Sequence, residues 1–223
     1  MPNPPGRVAR AVTVGAVGLV VVLGTWLVWR DSSVAANSDA RREAAVAFLD
    51  AWTISRETTW KVVATFERTP ANGSGKLSSP LEMVQRPPDR LVRQFGSVAG
   101  LLDGEEVGCS TGPDGETQCR SGAPKDYEEE VASELSRLEA YVAGPVPIYA
   151  VTREGSDCFR LDRQLEYLLP PYGDQARFCF DAPTGAPVRT EVVRPEATDV
   201  TTADAVSVEV TDADFELPAP LES

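Results

Sequence analysis

A chain of 223 residues with a net charge of −13 and no histidine lacks the Lys/Arg excess that nucleic acid or an anionic membrane surface recruits, so neither is expected as an electrostatic partner. The missing histidine removes Ser-His-Asp and Cys-His chemistry and every imidazole metal ligand. Lys61, Lys76 and Lys125 stand in no Ser-x-x-Lys pattern, and no phosphate-cradling glycine loop or dinucleotide fingerprint occurs; an enzyme is not expected, and no cofactor or metal is implied.

Residues 1–10 carry Arg7 and Arg10 ahead of an uncharged stretch, 11–29, AVTVGAVGLVVVLGTWLVW. As a helix at ~1.5 Å per residue it is about 28 Å long, against ~30 Å of bilayer core. Trp26 and Trp29 sit at its far end, where interfacial aromatics belong, and the arginines on the near side place the N-terminus in the cytoplasm. The expectation is a single-pass signal-anchor in the cell membrane, a linker at 30–37, and the main domain outside. A cleaved signal peptide competes with it: such apolar cores usually run about 7–15 residues, yet Val34-Ala35-Ala36 could serve as a cleavage site.

Residues 38–218 form one predicted extracytoplasmic domain, and 219–223 a frayed tail. Residues 38–55 read as a helix, with Ser38 as N-cap and Ala45, Phe48, Leu49 and Trp52 on one face. TTWKVVATFERT then alternates: Trp60, Val62, Ala64 and Phe66 point one way, Lys61, Thr65 and Glu67 the other, as in a half-buried strand. NGSG at 72–75 is a turn. LEMVQR and DRLVRQF make a hairpin about Pro87-Pro88, and Asp103-Gly104 turns the next pair. Residues 126–142 read as an amphipathic helix with Tyr127, Val131, Leu135, Leu138 and Val142 in its stripe, acidic residues in its first turn, and Gly144-Pro145 after it. Strands are predicted at PIYAVT, DCFRLDR, ARFCFD, PVRTEVV and AVSVEV.

Four cysteines in an exported domain read as two disulfides. Cys109 and Cys119 bracket a Pro113-Asp114-Gly115 turn; pairing Gly112 with Glu116 and counting outward sets Cys109 opposite Cys119. That leaves Cys158 with Cys179. Each of these lies on the charged face of its segment, with Arg160 and Asp162 or Arg177 and Asp181, while Phe159, Leu161, Phe178 and Phe180 lie on the apolar one. On neighbouring antiparallel strands the bridge would staple the solvent side and leave the apolar side free.

The order helix, antiparallel strands, amphipathic helix, more strands, together with "QRPPDRLVRQF", "LLDGEEVGC", "FCFDAPTGAPVRTEVV" and the ending "VEVTDADFELPAP", resembles the lipoprotein-carrier (LolA-like) superfamily. Its relatives include envelope lipid-binding lipoproteins of high-GC Gram-positive bacteria and the RseB-like periplasmic sensors. Asp181, Thr184 and Gly185 match that group's D-x-x-T-G turn, and Phe215 to Pro218 its F-x-L-P close. The resemblance implies an α+β half-barrel: a curved antiparallel sheet packed on the N-terminal helix and the inserted amphipathic helix. It implies a binding protein that holds a lipid or lipoprotein acyl chain on the apolar concave face; the anchor predicted at 11–29, a departure from the soluble carriers, would tether it to the membrane. The alternative is an RseB-like sensor or interaction module that regulates an envelope partner and carries no lipid. The candidate lining is Trp60, Val62, Phe66, Met83, Leu91, Phe95, Tyr149, Val151, Phe159, Leu161, Phe178 and Phe180. Alternation leaves open which face is concave, because a one-residue slip inverts a whole strand.

Overall fold

The structure, a computed structural model, describes residues 38–166 and 170–222. The expected anchor at 11–29 and linker at 30–37 lie outside the described residues. Among the described residues no helix is long and apolar enough to cross a membrane. Residues Glu43–Ser223 form one compact unit, which holds the whole sheet.

Helix α1 is described over residues 38–57. Twelve strands follow in one sheet, with α2 (Tyr127–Val142) inserted after the sixth: β1 (Trp60–Pro70), β2 (Leu77–Arg86), β3 (Asp89–Gln94), β4 (Ser97–Leu102), β5 (Glu105–Thr111), β6 (Thr117–Pro124), β7 (Tyr149–Arg153), β8 (Cys158–Arg163), β9 (Gln175–Phe180), β10 (Pro187–Val193), β11 (Ala197–Ser207) and β12 (Leu221–Glu222). Spatially they run β12-β6-β5-β4-β3-β2-β1-β11-β10-β9-β8-β7. Most neighbours are consecutive in sequence, so short turns build them, and β11 joins the two runs by pairing with both β1 and β10. The sheet is curved and unclosed, so the α+β half-barrel stands, with one correction. The tail expected to fray instead forms β12, which pairs parallel with Cys119 and Arg120 of β6.

A second correction concerns β11. The apolar alternation of AVSVEV suggests a short strand near its end, whereas the strand begins at Ala197 and takes in TDVTTADA. Thr favours a pleated, half-buried surface, and two flanking strands supply the hydrogen bonds that the Asp residues would otherwise disfavour.

Both disulfides are those expected. Cys109 is bonded to Cys119 and Cys158 to Cys179, each pair directly opposite across neighbouring strands. The turn count that placed the first rests on the Gly112 N–H donating to the Glu116 carbonyl at 2.9 Å.

Register assigns the two faces. On the inner face, β1 presents Trp60, Val62, Ala64 and Phe66; Met83 and Gln85 stand beside them on β2, Arg90 and Val92 on β3, and Ala99 on β4. Toward the other edge the same face carries Thr201, Thr190, Phe178 and Phe159. Over β7, β8 and much of β9 the helices fill this face. Phe48 of α1 and Leu138 and Val142 of α2 pack with Tyr149, Val151, Phe159, Leu161, Phe178 and Phe180.

The outer face of β2 to β6 is also covered, by the chain's own C-terminal strap. Phe215, in a 3-10 turn over Asp212–Phe215, buries against Val84, Leu91, Val98, Val107 and the Cys109–Cys119 bridge. Gly100 fits here because β3 and β4 lie close: a Cβ on it would meet the Arg90 carbonyl oxygen at 1.9 Å. Lys61 binds the Asp214 carboxylate at 2.6 Å, and the Arg93 guanidinium donates to the Asp214 and Glu216 carbonyls. The Lys61 hydrogen bond, aided by the Thr211 N–H, holds the Asp214 carboxyl down at about 2.

Candidate functional site

The helices do not cover the whole inner face. Between the end of α1 and strands β1 to β4, and reaching across β11 and β10 to the end of β9, lies a cavity of about 510 Å³, bordered among others by Trp52, Trp60, Met83, Val92, Ala99, Thr190 and Phe178. Its size falls within the ~300–1,000 Å³ of ordinary ligand sites. Val92 is 42% exposed and Ala99 is exposed, which marks the open side.

The end of α1 is fixed by side chains from the sheet. A helix C-terminus leaves carbonyls without intrahelical donors. Gln85, 1% exposed, donates its amide to the Ser55, Arg56 and Thr58 carbonyls at 2.6, 3.1 and 2.9 Å. The Trp60 indole donates to the Ser55 carbonyl at 2.9 Å, and the Tyr127 hydroxyl to that of Arg56. The turn after β9 closes on the same point. Gly185, at φ +68°, lies so near that a Cβ would meet Ile54 Cγ2 at 2.8 Å, and the Thr184 hydroxyl donates to Asp181 at 2.7 Å.

Beyond this floor a second cavity of about 380 Å³ shares Arg56 and Arg90 with the first and is bordered by Glu130, Glu134, Arg137, Tyr141 and Tyr172. The divide is made of ion pairs. Glu134 accepts from Arg56 at 2.7 and 3.0 Å and from the Trp52 indole at 3.1 Å, and Arg90 pairs with Glu130 at 2.8 Å. Arg56 also lies over the Trp52 ring and Arg90 over Tyr127. Burial alone would raise the Glu134 carboxyl, but the Arg56 hydrogen bonds and charge, then Arg90 and the Trp52 indole, outweigh it and hold it below its ordinary value. Burial, reinforced by the Glu134 charge, pushes Tyr172 up to about 12, so its hydroxyl stays protonated at neutral pH.

The lowered Glu134 carboxyl has a pH signature. Its contribution to stability is complete above the unfolded value of about 4.5 and is lost as pH falls through the lower folded value. Denaturant midpoints of the wild type and Glu134→Gln should therefore differ at pH 6 and draw progressively together as pH falls below about 4.5. A gap that persists unchanged to pH 3 would show that the carboxylate is not held by these partners.

The sequence-predicted lining divides into groups. Trp60, Met83, Phe178 and Phe180 border the apolar cavity. Tyr149, Val151, Phe159 and Leu161 are core beneath the helices. Val62 is packed with Ala64, Leu81 and Ala186, and Phe66 lies partly buried against that group. Leu91 borders the cavity as part of the sheet floor, but its side chain lies on the outer face with Val84 and Phe215. Phe95 is not on a strand at all: it sits in the β3–β4 turn at φ 52°, is 56% exposed, and meets Phe66 edge-on at 5.9 Å. Sequence reasoning missed Val92 and Ala99, which the alternate parity of β3 and β4 would have offered, and Gln85, Arg56 and Arg90, for which no periodic signal exists.

No family model matches the chain, and no curated protein matches it. Among solved structures it is similar to MucB in complex with MucA(peri), at 16% identity and a TM-score of 0.45, over 78% of this chain and 60% of that one. It is similar to a DUF1329 family protein from Desulfovibrio piger, at 13% and 0.37 over 80% and 96% of the two chains. A LolA superfamily protein from Nitrosomonas europaea is similar at 6% and 0.36 over 75% and 96%. The chain thus spans about 60% of the MucB chain's length.

Proposed function

We propose that the chain is a membrane-tethered, extracytoplasmic binding protein of the cell envelope that holds an acyl chain of a lipid or lipoprotein. The cavity of about 510 Å³ beside Trp60, Met83 and Phe178 carries this reading. Its walls are mainly apolar, it lies on the inner face, and no side chain of the described residues fills it. Two disulfides support an oxidising compartment outside the cytoplasm. Residues 11–29 supply the tether and Arg7 and Arg10 its orientation.

The full chain, purified in detergent and examined by native mass spectrometry, should carry a co-purified acyl lipid. Ala99→Trp places a large ring at an exposed position on the cavity wall, so it should expel the lipid without unfolding the protein. An empty wild type that also takes up no fluorescent fatty acid ends this reading. The exposed Phe95, which meets Phe66 edge-on, then favours the second one, an interaction or sensor module that regulates a membrane partner and carries no lipid.

A further inference from the structure

The two cavities meet at Arg56 and Arg90 but differ in character. The larger is walled mainly by apolar side chains, with Arg56, Gln85 and Arg90 at its rim, whereas the smaller is bordered by three arginines, two glutamates and two tyrosines. What each polar group already does decides what the smaller one can still bind.

Both carboxylates are engaged. Glu134 is taken by Arg56 and the Trp52 indole, and Glu130 by Arg90 with Lys125 nearby at 3.9 Å. Among the described residues, Arg137 has neither an ion pair nor a hydrogen bond, and the Tyr141 and Tyr172 hydroxyls have no partner. The hydrogen-bonding capacity left over is therefore an exposed guanidinium, which can only donate, and two phenols, which donate and accept. The arginines also outnumber the glutamates, leaving a net positive charge beside a largely apolar hollow.

We infer that the smaller cavity is a head-group site for an amphiphile whose tail lies in the larger one, and that the head is anionic and rich in oxygen acceptors, a phosphate or a carboxylate. This inference rests on the tail-binding reading above. A neutral polyol head could bond the two phenols, but it would leave the Arg137 charge without a counter-charge, since Glu134 and Glu130 are already paired with Arg56 and Arg90. An anion can take donors from Arg137, Tyr141 and Tyr172, and Arg56 and Arg90 at the junction can swing part of their hydrogen bonding toward it. Charge-assisted bonds of this kind are the stronger ones.

The test uses the full chain in phosphatidylcholine nanodiscs, with empty nanodiscs as the blank, and three radiolabelled probes that share one tail: 1-oleoyl-lysophosphatidate, oleate and 1-monooleoylglycerol. Both anions should bind more tightly than the neutral glycerol ester. Arg137→Gln should weaken each anion roughly tenfold, the size expected for one charge-assisted hydrogen bond, and Tyr141→Phe should weaken them less. Neither change should move the glycerol ester by more than about twofold, because the removed groups do not touch a tail. Arg137 is exposed and unpartnered, so its loss does not threaten the fold. A preference confined to one of the two anions upholds the inference and identifies the source of the head. Equal binding of all three probes, or equal loss of all three in Arg137→Gln, overturns the head-group site while leaving the tail cavity standing. Binding of none of them overturns both.

Discussion

Phe48→Ala should destabilise the domain by about 3–5 kcal/mol, the usual cost of emptying an aromatic site in a packed core. Phe48 is 0% exposed and its ring stands 5.5 Å from that of Phe159, 5.6 Å from Phe178 and 5.7 Å from Trp52. It is the side chain through which α1 fills the β7–β9 part of the inner face. Met83→Ala makes the contrast. Met83 is only partly buried and already borders open space, so its removal enlarges an existing cavity and should cost less than about 1.5 kcal/mol. Urea midpoints measure both. The same pair read for fatty-acid uptake separates core from site: Met83→Ala should change uptake at nearly unchanged stability. If Met83→Ala costs as much as Phe48→Ala, the β1–β4 half is ordinary core and the cavity is not a site.

That division between a filled half and an open half explains how far the sequence is legible. Alternation on β1, β8 and β9 is unambiguous because each places apolar residues at every second position, and the structure keeps those residues on one face. The 109–119 turn fixes its own register through one pair of backbone groups. On β3 the rule gives no answer, because Leu91 and Val92 are adjacent and both apolar. The larger one faces outward, and it can do so because Phe215, from more than a hundred residues later, comes back to cover it. An outer core built by a distant segment leaves no local period to detect. The same strap turns the expected loose end into β12. Gln85 is the clearest omission. A lone glutamine in an apolar strand reads as surface, and only the arrival of the α1 carbonyls overhead gives its amide a buried use. The cavity itself is a matter of where helices stop, and helix length along a sheet is set by packing and not by the pattern within either element.

Removing both disulfides should cost about 5–6 kcal/mol, comparable with the whole ~5–15 kcal/mol stability of a typical domain. The two bridges close separations of 10 and 21 residues, and restricting the unfolded chain over loops of that length contributes about 2.5 and about 3 kcal/mol respectively. Paired Cys→Ala variants measure each by urea denaturation. Their accessibility to reductant should differ more than their energies do. Cys158 is partly exposed on the outer face of β8, so a thiolate can reach its sulfur in the folded protein. Cys109 and Cys119 lie buried under Phe215 and the C-terminal strap, and a thiolate reaches them only after that strap lifts. Under native conditions dithiothreitol should therefore open Cys158–Cys179 first, leaving a folded, singly bridged protein. Lys61→Ala, which releases one of the contacts holding Asp214, should then speed the reduction of Cys109–Cys119 without affecting the first bridge. Alkylation after timed reduction, followed by peptide mapping, reads the order. Prior loss of Cys109–Cys119 would mean that the strap is open in solution and that the outer core is not closed.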